Sequence, residues 1–218
     1  MGKSQLHLQE VQEMMIYVSH KMVASKDQLT QADKAIGDGD HGVGMARGFE
    51  AVLKKLEGQE FSAVDQIFNA VGMAIMTSVG GAAGAVFGTL FRGGAKNLKD
   101  QPVLTAGNLS QLLLDGLQAV KERGKSKPGD KTMVDALEPA ALDSKNHSAA
   151  PLDTVLAAVT EAARLGMEKT KDMVAAVGKA KTLGERSLGH PDPGAISTYL
   201  ILKFMLAYVS GEKNSLVT

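Results

Sequence analysis

The chain has 218 residues, 24 acidic and 24 basic side chains that cancel, and no cysteine. Its length suffices for one sizeable core without a composition break, so a single domain over residues 1–218 is expected. Balanced charge argues against a nucleic-acid or anionic-membrane partner, and the lack of cysteine excludes disulfides and thiolate metal sites and fits a cytoplasmic protein.

Met1 to His7 has no apolar signal core, and Leu6 stands where a myristoylation motif needs Ser or Thr. Leu8, Val11, Met14, Met15, Val18, Met22 and Val23 then recur at three- and four-residue spacing, which predicts a long amphipathic first helix. Asp33, Asp38 and Asp40 follow within eight residues, laced with Gly37, Gly39, Gly42 and Gly44. Carboxylates this close repel one another unless a cation neutralises them, and hard oxygen donors favour Mg²⁺ or Ca²⁺ over zinc. The glycines leave backbone N–H groups uncovered, which suits phosphate oxygens. A solvated Asp-Gly-Asp turn is the plainer alternative. An EF-hand is excluded: counted from Asp38, its sixth and twelfth positions are Val43 and Phe49, where that loop needs glycine and glutamate.

Further helices are predicted over 43–57, 61–78, 81–98, 109–123, 131–146, 151–177 and 193–210, giving eight in all with short joints. Residues 70–91 carry no charge, yet Gly72, Gly80, Gly81, Gly84 and Gly88 favour two buried helices over a membrane span. Asp130 and Asp192 read as N-caps, and Pro193 as a first helical residue. Sixteen of the 24 glycines fall in 37–48, 80–94, 124–129 and 184–194, each at a helix end beside polar residues, which suggests a shared binding rim. Residues 184–194 hold two prolines and three glycines and read as a fixed loop. His41 and His190 could act as acid or base, although a lone histidine is more often a hydrogen-bonding residue.

Four segments together, Gly-Asp-Gly-Asp-His-Gly (37–42), Ser-Val-Gly-Gly-Ala (78–82), Pro-Gly-Asp-Lys-Thr-Met (128–133) and Gly-Glu-Arg-Ser-Leu-Gly-His-Pro-Asp-Pro-Gly-Ala (184–195), resemble the dihydroxyacetone kinase L family. The resemblance implies an all-α barrel of eight antiparallel helices that holds ADP or ATP at one end through two Mg²⁺ ions. It assigns Asp33, Asp38 and Asp40 to metal. It assigns His41, Gly42, Val43, Gly44, Ser78, Ala82, Ala83, Gly124, Thr132, Met133, Lys179, Asp192, Pro193 and Gly194 to the nucleotide, and names no catalytic residue. Family members often carry serine at the place of Ala83 and arginine at that of Lys179, so this chain lacks a hydroxyl donor and a bidentate fork there. The resemblance further implies a homodimer, a separate K-type subunit that holds a small ketose, and a phosphotransferase-system phosphocarrier where ADP stays bound. A nucleotide-loaded binding or regulatory module without turnover remains the alternative.

Overall fold

The apolar stripe after His7 becomes α1, Leu8–Ala24, which buries Val11, Met14, Met15, Val18 and Met22. In the computed structural model, which describes residues 3–212, the next helix follows almost at once. This is α2, Lys26–Ile36, with Leu29, Asp33 and Ile36 on its buried face. The sequence reading of this stretch passed over it, because that face has only three positions and one is charged. Asp33 therefore stands on a helix, and only Asp38 and Asp40 lie on the connector that follows.

The remaining helices are α3 His41–Leu56, α4 Val64–Ser78, α5 Gly81–Ala95, α6 Ala106–Gly124, α7 Val134–Ser144, α8 Leu152–Lys169 and α9 Pro193–Val209. Helices α1, α3, α4, α5, α6, α7, α8 and α9 each pack on the next, and α9 packs back on α1, closing a barrel of eight antiparallel helices. Helix α2 stands outside this ring and leans on α3 and α9 at one end of it. A two-residue pair, β1 Leu6–His7 against β2 Val103–Leu104, ties the chain start to the α5–α6 connection.

Several boundaries move for local reasons. Helix α6 starts three residues earlier than expected because the Thr105 hydroxyl accepts from Asn108 N at 3.2 Å and caps it. Asp130 is not an N-cap: α7 begins at Val134, and Asp135 accepts from Gly129 N and Thr132 N at 2.6 and 2.7 Å. Helix α8 ends at Lys169 instead of near 177, followed by a single 3₁₀ turn, Thr170–Asp172. Asp192 does cap α9, accepting from Ala195 N at 2.7 Å, with Pro193 first in the helix.

The glycines divide into two uses. A Cβ on Gly72 would lie 2.6 Å from Gly88 O, one on Gly94 2.5 Å from Leu112 O, and one on Gly84 2.1 Å from Val79 O. These positions let backbones approach closely, so most of the 80–94 cluster serves packing and not a rim. Phe49, Phe68, Phe87, Met14, Met15 and Met22 fill the barrel, with Phe68 and Phe91 stacked at 6.3 Å. The charge-free stretch 70–91 is α4 and α5 broken at Val79 and Gly80. Among the described residues no helix is long and apolar enough to cross a membrane.

Candidate functional site: an acidic cavity ringed by helix starts

An up-and-down barrel brings alternate helix starts to the same end. Here the starts of α3 (His41), α5 (Gly80 to Ala83), α7 (Thr132, Met133) and α9 (Asp192 to Gly194) surround one cavity of about 320 Å³. Each points the positive end of its dipole into this space, although some first-turn N–H groups are already taken: His41 N by Asp33, Thr132 N by Asp135 and Ala195 N by Asp192. Gly81 has φ +67 and nothing within 4 Å of where a Cβ would stand, so the α5 backbone lies open to an approaching anion. Four such ends around one space favour a polyanion.

The acidic side of the cavity faces them. Asp33, Asp38 and Asp40 each place a carboxylate oxygen within 4.8 Å of the others. Asp33 is nearly buried on the last turn of α2, and its Oδ2 accepts from His41 N at 3.1 Å. The turn that brings Asp38 and Asp40 alongside passes through Gly39 at φ +79, a conformation that suits glycine. Lys179 reaches across the mouth, with Nζ 2.5 Å from Asp38 Oδ2 and 2.8 Å from Asp40 Oδ2. That bond to Lys179 holds the Asp38 carboxyl below its ordinary range and raises the Lys179 ammonium. Three hard oxygen donors at this spacing fit Mg²⁺, which keeps waters and takes further oxygens from phosphate.

His41 is largely enclosed, and burial lowers its imidazole pKa against the opposing pull of Asp33 and Asp40. Its Nε2 lies 2.8 Å from Ser197 Oγ, so the ring joins α3 to α9 as a hydrogen-bonding residue. His190 contributes a backbone carbonyl to Lys131.

Of the residues singled out in the sequence, Asp33, Asp40, His41, Ala82, Ala83, Gly124, Thr132, Met133, Lys179, Asp192, Pro193 and Gly194 line this cavity. Asp38, Val43 and Gly44 line an adjoining groove that shares Asp40, His41 and Ala83 with it. Gly42 and Ser78 line neither. A Cβ on Gly42 would meet Lys26 O at 2.2 Å, so that glycine lets α3 sit against α2. The Ser78 carbonyl accepts from Arg47 Nε at 2.7 Å.

Sequence reasoning missed the apolar part of the lining, Ile36, Val86, Phe87, Val120 and Val177, and the buried Lys131. Ile36, Val86, Phe87 and Val120 belong to helices whose apolar faces the core already explains, and Val177 lies on the connection between α8 and α9. Lys131 had only its place in a turn motif to mark it. Burial lowers its ammonium pKa, opposed by Asp192, Asp172 and Asp135.

The Asp192 carboxyl is pushed up to about 7, first by burial, with Asp135 adding and Lys131 opposing. A carboxyl raised on folding stabilises the native state fully below its unfolded pKa and loses that contribution as pH climbs toward its folded value. Asp192→Asn should therefore gain stability relative to the parent as pH rises from about 4 to 7. Parallel melting curves across that range, with a constant difference between the two proteins, would contradict the assignment.

Fold and site together define an all-helical barrel with a carboxylate-lined cavity among helix starts. Residues 35–207 match the DAK2 domain family, and the chain belongs to that family. It is similar to the ADP-binding subunit DhaL of PEP-dependent dihydroxyacetone kinase 1 from Listeria innocua serovar 6a, at 40% identity over 182 residues (84% of this chain, 87% of that protein). The corresponding DhaL subunit from Escherichia coli K12 is 39% identical over 188 residues, covering 85% of this chain and 89% of its own. In three dimensions the chain resembles the dihydroxyacetone kinase of C. freundii, solved natively and with AMP-PNP and Mg²⁺. The TM-score is 0.72 to each, at 26% and 25% identity, over 90% and 93% of this chain. It spans 34% of that longer kinase.

Proposed function

We propose that this chain is the nucleotide-holding subunit of a dihydroxyacetone or related small-ketose kinase. It would bind ADP or ATP with two Mg²⁺ ions and pass a phosphoryl group to a ketose held by a separate K-type subunit. The convergence of four helix starts on one cavity opposite three carboxylates carries this reading. Asp33, Asp38 and Asp40 would hold the metal. The amides at Gly80 to Ala83 and at Val43 would receive phosphate oxygens, with His41 and Gly44 beside them. Gly124, Thr132, Met133, Asp192, Pro193 and Gly194 would enclose the nucleoside, with Val86, Phe87 and Val120 supplying its apolar wall. Ser78 and Gly42 would act indirectly, by placing the starts of α5 and α3. Bound magnesium supplies charge neutralisation for the transferring phosphoryl group.

The partner would be a K-type subunit. A phosphotransferase-system phosphocarrier would recharge bound ADP, which the name of a similar PTS-dependent ADP-binding subunit from Lactococcus lactis supports. A cytoplasmic homodimer completes the proposal.

The test is thermal stability in the presence of ADP. A ligand bound only by the native state adds about 2.7 kcal/mol at a hundredfold excess over Kd. For a chain of this size that is roughly 5–10 °C in melting temperature. Magnesium with ADP should raise the melting point by this order, and EDTA should remove the gain. A melting curve indifferent to both would reject the nucleotide reading.

A further inference from the structure

Residues 171–191 leave the end of α8 and return to the start of α9 as a strap with its feet side by side. Gly189 N donates to Lys171 O at 2.8 Å, and Asp192 N donates to Thr170 Oγ1 at 2.9 Å. A third element holds both feet. Lys131, on the connection between α6 and α7, donates from Nζ to Thr170 O at 2.5 Å and to His190 O at 2.6 Å. Its side chain is 2% exposed, and its backbone sits in the left-handed region at φ +61, an uncommon conformation for a residue with a long side chain.

A buried ammonium is costly unless its hydrogen bonds are made, and a methionine would fill similar volume without that cost. What the ammonium adds is a bond to each end of the strap at once. The same connection grips the strap again where Ala176 N donates to Asp130 O at 3.1 Å. Inside the strap, Ala175 N donates to Ser187 Oγ at 3.0 Å. From this base the strap carries Lys179 to Asp38 and Asp40 on the far side of the cavity.

We propose that Lys131 is a positioning residue that pins the two feet of the strap through one ammonium and thereby sets where Lys179 stands against the acidic cluster. Lys131 also lines the cavity, but both of its bonds run to main-chain carbonyls, so its hold on Lys179 passes through the strap. Only the second arm of the test below rests on the nucleotide reading proposed above.

The first arm uses no nucleotide. In Lys131→Met both carbonyls lose a charged donor, and the strap should open locally without unfolding the barrel. Trypsin under native conditions should then cut after Lys179, Lys181 and Arg186 at least about tenfold faster than in the parent, with unchanged far-UV dichroism. An unchanged rate at those three bonds overturns the proposal. Should Lys131→Met fail to fold, hydrogen exchange on the unaltered chain decides. The Gly189 and Asp192 amides, bonded across the two feet, should exchange together with Ala175 and Ala176 as one unit. Unrelated rates for these four overturn the pin.

The second arm is a double-mutant cycle read by Mg²⁺–ADP affinity. Lys179→Met should weaken binding in the parent but by less than about twofold in the Lys131→Met background, because the strap no longer holds that side chain in place. Additive losses would mean that Lys131 acts independently of the strap, and would overturn the proposal. An opened strap in a protein that binds no Mg²⁺–ADP in any form would support the pin while removing the nucleotide reading.

Discussion

Asp38→Ala should abolish most Mg²⁺–ADP binding while leaving the barrel intact. Asp38 is exposed, lies on the connector between α2 and α3, and contributes one of three carboxylates grouped within 4.8 Å. Loss of a residue that only orients a metal ligand commonly costs 10–100-fold in metal affinity, so loss of a direct ligand should exceed about 100-fold. The variant also strips Lys179 of one partner, leaving Asp40 to hold it. No core side chain is touched, so dichroism and cooperative melting should survive without ligand. Calorimetry that finds the parent's ADP affinity in this variant would show that the carboxylates do not bind metal for the nucleotide.

The second large effect concerns turnover. The isolated chain should phosphorylate no ketose with ATP and Mg²⁺, and activity should appear once a cognate K-type subunit is added, with a phosphocarrier where ADP is locked in. Among the described residues, the cavity and its adjoining groove use the polar groups that converge near the acidic cluster, and His41 is committed to Ser197. In-line transfer requires the acceptor oxygen aligned with the terminal phosphoryl, and alignment alone can supply about 7–11 kcal/mol of the barrier. A chain without an acceptor site forgoes that contribution. Steady formation of dihydroxyacetone phosphate by the chain alone would place a sugar site in residues assigned here to packing.

Periodicity disclosed most of the helices because seven of the eight walls are long, while their closure into a barrel was implied by the family resemblance. Helix α2 escaped because its buried face includes Asp33, so a member of the acidic cluster masked the helix that carries it. The start of α7 escaped because the carboxylate that organises the turn is Asp135, inside the helix, and not the expected Asp130 in front of it. The acidic cluster was legible as a cluster since its members are near neighbours in sequence. Its cationic partner was marked only through the family resemblance, not by any pattern around it. Lys179 lies 141 positions from Asp38, and no local pattern announces a meeting decided by the path of the strap. The glycines misled in part: clustering at helix ends suggested a ligand rim, while Gly84, Gly88 and Gly94 answer to the closeness of neighbouring backbone.

The joined feet of the strap have a consequence for how such proteins diversify. A loop whose ends are bonded to each other, Gly189 to Lys171 and Asp192 to Thr170, keeps its two feet together on the barrel while the residues beyond its inner grip at Ala176 can change. Lengthening such a segment adds a closure cost that grows only with the logarithm of its length, about 0.6 kcal/mol per doubling. The 171–191 stretch is in that sense a cassette. Exchanging lysine for arginine at 179, or grafting in a longer strap, alters the group delivered to the cavity mouth while α8 and α9 keep their packing. Natural variation and deliberate redesign can retune the mouth there and leave the barrel wall as it is.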